Sequence, residues 1–273
     1  METKTNRMEN HSPLTGREIL IALAVKYEGD WNKIYADISN KETDGLAQYL
    51  ENIDTNNVIT LLDADYPQIL EEIYNPPFVL FIKGDRSLLQ SPNQIASVIG
   101  TRKPTRSGEQ AIKTIVNNQL KDKIICVGAS KGTSELVLDS CFLNNQKTII
   151  VLPCGFDNIY PNGFDTYIAK ALDIGACIVT EYPNQTQVAK NNFPKSGRII
   201  AGLCQHLVAM EIQKQSGSQI TLGFGLSFNR DIYVLPVAFD SEFSNNTLIR
   251  DGATPIIKDE DFLDSNPTRY FDN

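Results

Sequence analysis

The strongest constraint on this chain is an alternation that begins at Tyr66-Pro67. Short runs that are apolar at nearly every position recur at Phe78–Ile82, Ile95–Ile99, Ile124–Val127, Thr148–Leu152, Cys177–Thr180, Leu207–Ile212 and Ile232–Leu235. Helix-like stretches separate them at 106–120, 133–144, 164–173 and 217–228. A strand with one wet face alternates apolar and polar residues, whereas an unbroken apolar strand needs cover on both faces. Helical crossovers between parallel strands supply that cover. The pattern predicts an α/β fold, a doubly wound, mostly parallel, Rossmann-like sheet domain over residues 63–257.

Upstream the periodicity changes. Ile19, Leu20, Leu23, Ala24, Ile34, Ile38, Leu46, Leu50 and Ile53 recur at helical spacing, interrupted at Gly29-Asp30 and around residues 40–43. This predicts a small helical domain over 14–62 with a packing or interaction role. Residues 1–13 are polar and aperiodic and are expected to be disordered, and residues 258–273 read as an acidic tail. The 273 residues suit one large domain and one small one. No apolar run approaches the ~20 residues of a membrane span, and no apolar leader segment opens the chain. The 5 cysteines lack Cys-x-x-Cys spacing and only 2 histidines accompany them. A disulfide framework, a structural metal and a cofactor are therefore not expected, and the compartment reads as reducing and cytoplasmic.

The formal net charge is −8, which argues against a sequence-blind basic coat for nucleic acid. The charge is unevenly spread, however. Residues 102–131 carry Arg102, Lys103, Arg106, Lys113, Lys121, Lys123 and Lys131 against Glu109 and Asp122. A basic island on an acidic body can receive a polyanion. In a doubly wound sheet, ligands bind beyond the carboxyl ends of the strands, near helix N-termini. Three such junctions combine small, polar and basic residues: Gly100-Thr101-Arg102-Lys103-Pro104-Thr105, Gly128-Ala129-Ser130-Lys131-Gly132-Thr133 and Ser216-Gly217-Ser218-Gln219-Ile220-Thr221. Glycine permits the tight turn, and Arg102 offers a planar fork suited to phosphate. Each junction alone is a common steric feature; three around one crevice point to an anion site.

Nucleotide fingerprints are missing. Neither Gly-x-x-x-x-Gly-Lys-[Ser/Thr] nor a clean Gly-x-Gly-x-x-Gly occurs, and Gly223-Phe224-Gly225 falls inside a helical stretch. There is no Gly-x-Ser-x-Gly elbow, and His206 reads as a capping or partly buried side chain. Glu181 and Glu211 end strands on the ligand side; Glu181 either orients a basic residue or caps the next helix. No complete catalytic set is present, so an enzyme is not expected.

Motifs in sequence order carry a family resemblance. Asp65-Tyr66-Pro67, Pro76-Pro77, Leu80-Phe81-x-Lys83-Gly84 and Val98-Ile99-Gly100-Thr101-Arg102 are followed by Leu152-Pro153-Cys154-Gly155 with Tyr160-Pro161. Glu181-Tyr182-Pro183, Phe193-Pro194, Arg198-Ile199-Ile200-Ala201-Gly202-Leu203, Ser216-Gly217-Ser218 and Asn246-x-Leu248-Ile249-x-x-Gly252-Ala253 complete the series. Across about residues 60–257 the chain resembles the DNA-processing protein A (DprA, or Smf) family. The resemblance implies an extended Rossmann domain that binds single-stranded DNA without catalysis, protects it during natural transformation and helps load a RecA-type recombinase, usually as a homodimer. It matches residues 14–62 to a sterile-alpha-motif-like domain and finds no C-terminal winged helix. By motif position, Arg102 is the main phosphate contact. Gly100, Thr101 and Lys103 shape the first loop, Gly128, Ser130, Lys131 and Gly132 the second, and Arg198, Ser216, Gly217 and Ser218 line the same pocket.

This sequence departs from the family pattern at several positions. Ser134 and Leu138 stand where the family carries Asp and His, and Ser196 and Gly197 where it carries Arg and Asn. Loss of an arginine weakens a phosphate pocket, with Lys131 and Lys195 as point-charge substitutes. Tyr160, Phe164 and Tyr182 are candidates either to stack bases or to fill the core. Two alternatives stay open. One is a nucleotide-binding protein of the phosphoribohydrolase kind, whose glycine motif Gly132-Thr133-Ser134-Glu135 only echoes. The other is a degenerate scaffold that binds no ligand.

Overall fold

The computed structural model describes residues 14–51 and 53–257; the segments 1–13 and 258–273 lie outside the described residues. Nine strands form one sheet: β1 (Val58–Thr60), β2 (Val79–Gly84), β3 (Ile95–Ile99), β4 (Ile124–Gly128), β5 (Thr148–Val151), β6 (Cys177–Thr180), β7 (His206–Ala209), β8 (Asp231–Val234) and β9 (Thr254–Pro255). Their order is β1-β2-β6-β5-β4-β3-β7-β8-β9. All pairings from β6 through β9 are parallel, while β1 and β2 are antiparallel additions at one edge. The doubly wound, mostly parallel expectation is met.

The apolar strands divide their side chains between two cores, as a period of two requires. Ala96, Val98, Ile125, Val127 and Val208 face one core. Ile95, Ile99, Cys126, Leu207 and Ala209 face the other. The first is covered by α1 (Gly16–Lys26), α4 (Arg106–Thr114), α5 (Thr133–Leu143) and α6 (Asp165–Asp173), through residues such as Leu23, Ile112, Val137 and Ala171. The second is covered by α3 (Gln68–Glu71), α7 (Asn192–Gly202) and α8 (Gly217–Ser227), through Leu70, Ile199 and Leu222.

Two features depart from the sequence reading. Helix α7 lies in a stretch with no predicted element, because Pro194, Gly197 and Gly202 interrupt its pattern. Pro194 sits in the first turn, where its missing N–H has no intrahelical partner to lose. Gly197 and Gly202 let α7 press onto Thr221 of α8 and Leu70 of α3. The expected boundary at 62/63 also falls after a strand of the sheet: β1 pairs with β2, Val58 opposite Phe81. In the upstream segment, α1 and α2 (Trp31–Asn40) are helical, and Leu20–Ala24 share a core with Val79 and Phe81. The segment packs as part of the sheet domain's interior.

Candidate nucleic-acid interface

From β3 the chain steps outward through β4, β5 and β6, then returns to the other side of β3 with β7 and β8. That reversal leaves a crevice beyond the carboxyl ends of the central strands. The loops after β3 (100–105), β4 (128–132) and β7 (210–216) adjoin there, as their strands are neighbours in the order β4-β3-β7.

The three loops interlock. Thr133 donates from its backbone N at 3.1 Å and from Oγ1 at 2.9 Å to the Thr101 carbonyl. Thr101 N donates to the Glu211 carbonyl at 2.8 Å, and Ser218 Oγ donates to the Gly100 carbonyl at 2.5 Å. Gly132 has φ +75°, and a Cβ there would collide with the Arg102 backbone. A Cβ on Gly100 would strike Thr133, and one on Gly128 would lie 2.8 Å from Ile200 Cδ1. Glycine at 100 and 132 therefore serves close loop-to-loop approach.

Glu211, 4% exposed, positions the first loop, a role that sequence reasoning missed. Its carboxylate accepts from Thr105 N at 2.8 Å and from Thr105 Oγ1 at 2.5 Å, while Thr105 Oγ1 caps α4 through Gly108 N at 3.0 Å. The only signal was an acid at the end of an apolar strand. Similar self-capping recurs: Glu135 accepts from Gly132 N at 2.9 Å at α5, and Ser216 Oγ accepts from Gln219 N at 3.2 Å at α8. All three helix N-termini are thus partly occupied by the protein's own side chains. Positive charge at this edge is therefore carried by exposed cations more than by open helix ends.

Those cations include Arg102, Lys103 and Lys131, with Lys214 on the loop after β7, all exposed at the crevice loops. Gly217 is exposed, Thr101 is buried, and Ser130 is half-buried with its Oγ 2.8 Å from Ser134 Oγ. Leu138 fills the first core. Arg198 stands apart from the exposed group: it is 6% exposed and its Nη2 lies 2.5 Å from Oε1 of Glu181, itself 5% exposed. Glu181 therefore orients an arginine, but an interior one. Tyr182 beside it is buried, and burial, reinforced by the Glu181 charge, pushes its hydroxyl far above the ordinary range. Phe164 is likewise core, while Tyr160 is half-buried and edge-on to Phe193 at 5.7 Å. Among the described residues no three His, Cys, Asp or Glu side chains converge to hold a metal, and no helix is long and apolar enough to cross a membrane.

Fold and site define a Rossmann-type α/β protein with a cationic crevice at its topological switch point. A family model for DNA recombination-mediator protein A matches residues 57–267, and the chain belongs to that family. It is 35% identical to Protein Smf of Synechocystis over 80% of this chain and 56% of that protein. It is 31% identical to the DNA processing protein DprA of Bacillus subtilis, over 78% of this chain and 72% of that one. The chain thus spans little more than half of the cyanobacterial relative. Among solved structures, DNA processing protein A from Streptococcus pneumoniae superposes with a TM-score of 0.72 at 29% identity, covering 92% of this chain and 93% of that one. DNA processing protein A from Helicobacter pylori, whose structure was described for its single-stranded DNA binding mode, gives a TM-score of 0.67 at 24% identity. It covers 76% of this chain and 94% of that one, and shows the shared fold.

Proposed function

We propose that this protein binds single-stranded DNA through its phosphate backbone, without catalysis or cofactor, and acts as a homodimer that shields the strand and helps place a RecA-type recombinase on it. The observation that carries this reading is the exposure of Arg102, Lys103 and Lys131 on interlocked loops at the switch point. The interlocked loops fix the backbone from which the cations project, so their spacing is set before a strand arrives. Arg102 supplies a two-pronged phosphate contact, and Lys103 and Lys131 act as point charges on either side. Arg198 serves this site from beneath, by fixing α7 through Glu181, rather than by touching DNA. Family membership and the DNA-processing relatives support the same reading.

Backbone binding through a local cluster on an acidic body is expected to be steeply salt-dependent and to favour flexible single strands over duplex. Fluorescence anisotropy with a labelled 30-mer tests this. Tight binding at low salt, weakened at physiological salt and resisted by duplex competitor, is the expected outcome. Absence of binding at low salt by correctly folded protein would overturn the proposal.

A further inference from the structure

On the other side of loop 100–105 from Lys131 lies a cavity of about 320 Å³. It sits over β7, between the loop that follows β3 and the loop that follows β8. Thr105 and Lys103 form one wall, Gln213 contributes from the β7 loop, and Ser241, Glu242 and Phe243 form the opposite wall. The far wall is anchored. Asn245, fully buried, accepts from Ile212 N at 2.8 Å and donates to the Leu235 carbonyl at 2.8 Å and to the Met210 carbonyl. Ser244 N donates to the Ile212 carbonyl at 2.8 Å, and Asn246 brackets Val237 through Oδ1 at 3.1 Å and Nδ2 at 2.9 Å. Ser241 Oγ accepts from Phe243 N at 3.3 Å and closes the turn that presents Glu242 and Phe243.

The chemistry of this lining differs from that of the cationic loops. A carboxylate on the far wall makes the inside of the groove a poor place for a phosphate and leaves that role to Lys103 at the rim. An aromatic ring, an amide and a carboxylate around a hollow of this size suit a planar heterocycle: the ring for stacking, the amide and carboxylate for its polar edge. A carboxylate accepts from exocyclic amino groups such as cytosine N4, and has nothing to donate to thymine O4. We propose that this groove is a nucleobase subsite, in which Phe243 stacks and Glu242 and Gln213 read the base edge, favouring bases with an exocyclic amino group. Lys103 holds the phosphate of the same nucleotide at the rim. The ligand is a nucleotide unit, supplied either by a DNA strand or as a free nucleotide. The DNA form of this inference rests on the function proposed above.

Anisotropy with labelled (dC)20 and (dT)20 at pH 8, with unlabelled dCMP and dTMP as competitors, tests it on the full chain. The wild type is expected to favour (dC)20 by about fivefold or more. Glu242→Gln, whose amide can also donate to thymine, brings that ratio towards one without weakening (dT)20. Phe243→Ala weakens both strands by about tenfold, and native far-ultraviolet dichroism of each variant certifies the fold. Strong oligonucleotide binding with a base ratio unmoved by Glu242→Gln, or affinity unmoved by Phe243→Ala, would overturn the subsite and leave the backbone reading standing. Calorimetric binding of dCMP in preference to dTMP, with no oligonucleotide binding by anisotropy, would support the groove as a free-nucleotide site and overturn the DNA reading. No binding of either ligand would overturn both.

Discussion

At the residue scale, two arginines divide the labour. Arg102 is exposed on a crevice loop, whereas Arg198 is interior and paired with Glu181 at 2.5 Å. Removing one partner of such a pair leaves the other as an uncompensated buried charge, which costs about 3–5 kcal/mol. Arg198→Ala is therefore expected to lower unfolding stability by that amount in urea titrations. The double variant Arg198→Met with Glu181→Leu should recover most of it, since a well-packed apolar pair often substitutes for a buried ion pair. A stable Arg198→Ala protein that had lost only DNA affinity would instead make Arg198 a phosphate ligand. The sequence marked both residues as basic and near the ligand edge. It could not separate them, because burial of Arg198 depends on a carboxylate 17 residues away that reaches it only through the packing of α7 against the sheet. Arg102 was legible because it follows an apolar strand and a glycine inside a run of like charges.

At the scale of elements, the site is three loops made into one body. Gly132 is the point of closest approach: its positive φ and its contact with the Arg102 backbone both exclude a side chain. Gly132→Ala is expected to destabilise the fold by about 1–3 kcal/mol and to weaken DNA binding as Arg102 is displaced. Chemical denaturation and anisotropy on the same preparation measure the two effects, and an unchanged affinity would show that the loops act independently. The strands were legible because lack of polar alternation is a strong signal. Helix α7 was not: Pro194, Gly197 and Gly202 are poor helix formers in isolation, and what favours them is tight packing against α3 and α8. The self-capping of α4 by Glu211 was hidden for a related reason, as it joins residues 106 positions apart.

Across the whole molecule, the upstream helices and the sheet share a core, and all five cysteines are buried as free thiols. Burial pushes Cys204 up to about 11 and Cys141 and Cys177 to about 12, from an ordinary value near 9.0. On raising the pH, the unfolded chain loses these protons first, so the folded state progressively loses its advantage. Stability is expected to fall from about pH 9 upward, by about 1.4 kcal/mol per pH unit for each thiol titrating only in the unfolded state. Thermal melts between pH 7 and 10.5 measure this, and the thiols should resist aromatic disulfide reagents until the chain unfolds. A flat profile, or a thiol reactive in the native protein, would contradict the buried arrangement. The helical and sheet regions were legible in the sequence, but the division at 62/63 was not, since a three-residue strand such as β1 is too short to show a period.

In the function proposed here, exposed side chains on the switch-point loops, Arg102 foremost, hold the DNA backbone. The most direct measurement is the salt dependence of single-stranded DNA affinity for the wild type and for Arg102→Ala, with Lys113→Ala as a control from outside the crevice loops. Loss of one phosphate contact should weaken binding at least about tenfold and make the log–log salt slope shallower by about 0.7, with the control close to wild type. Equal affinities and equal slopes for all three proteins would place the DNA elsewhere and rule out Arg102 as a phosphate contact.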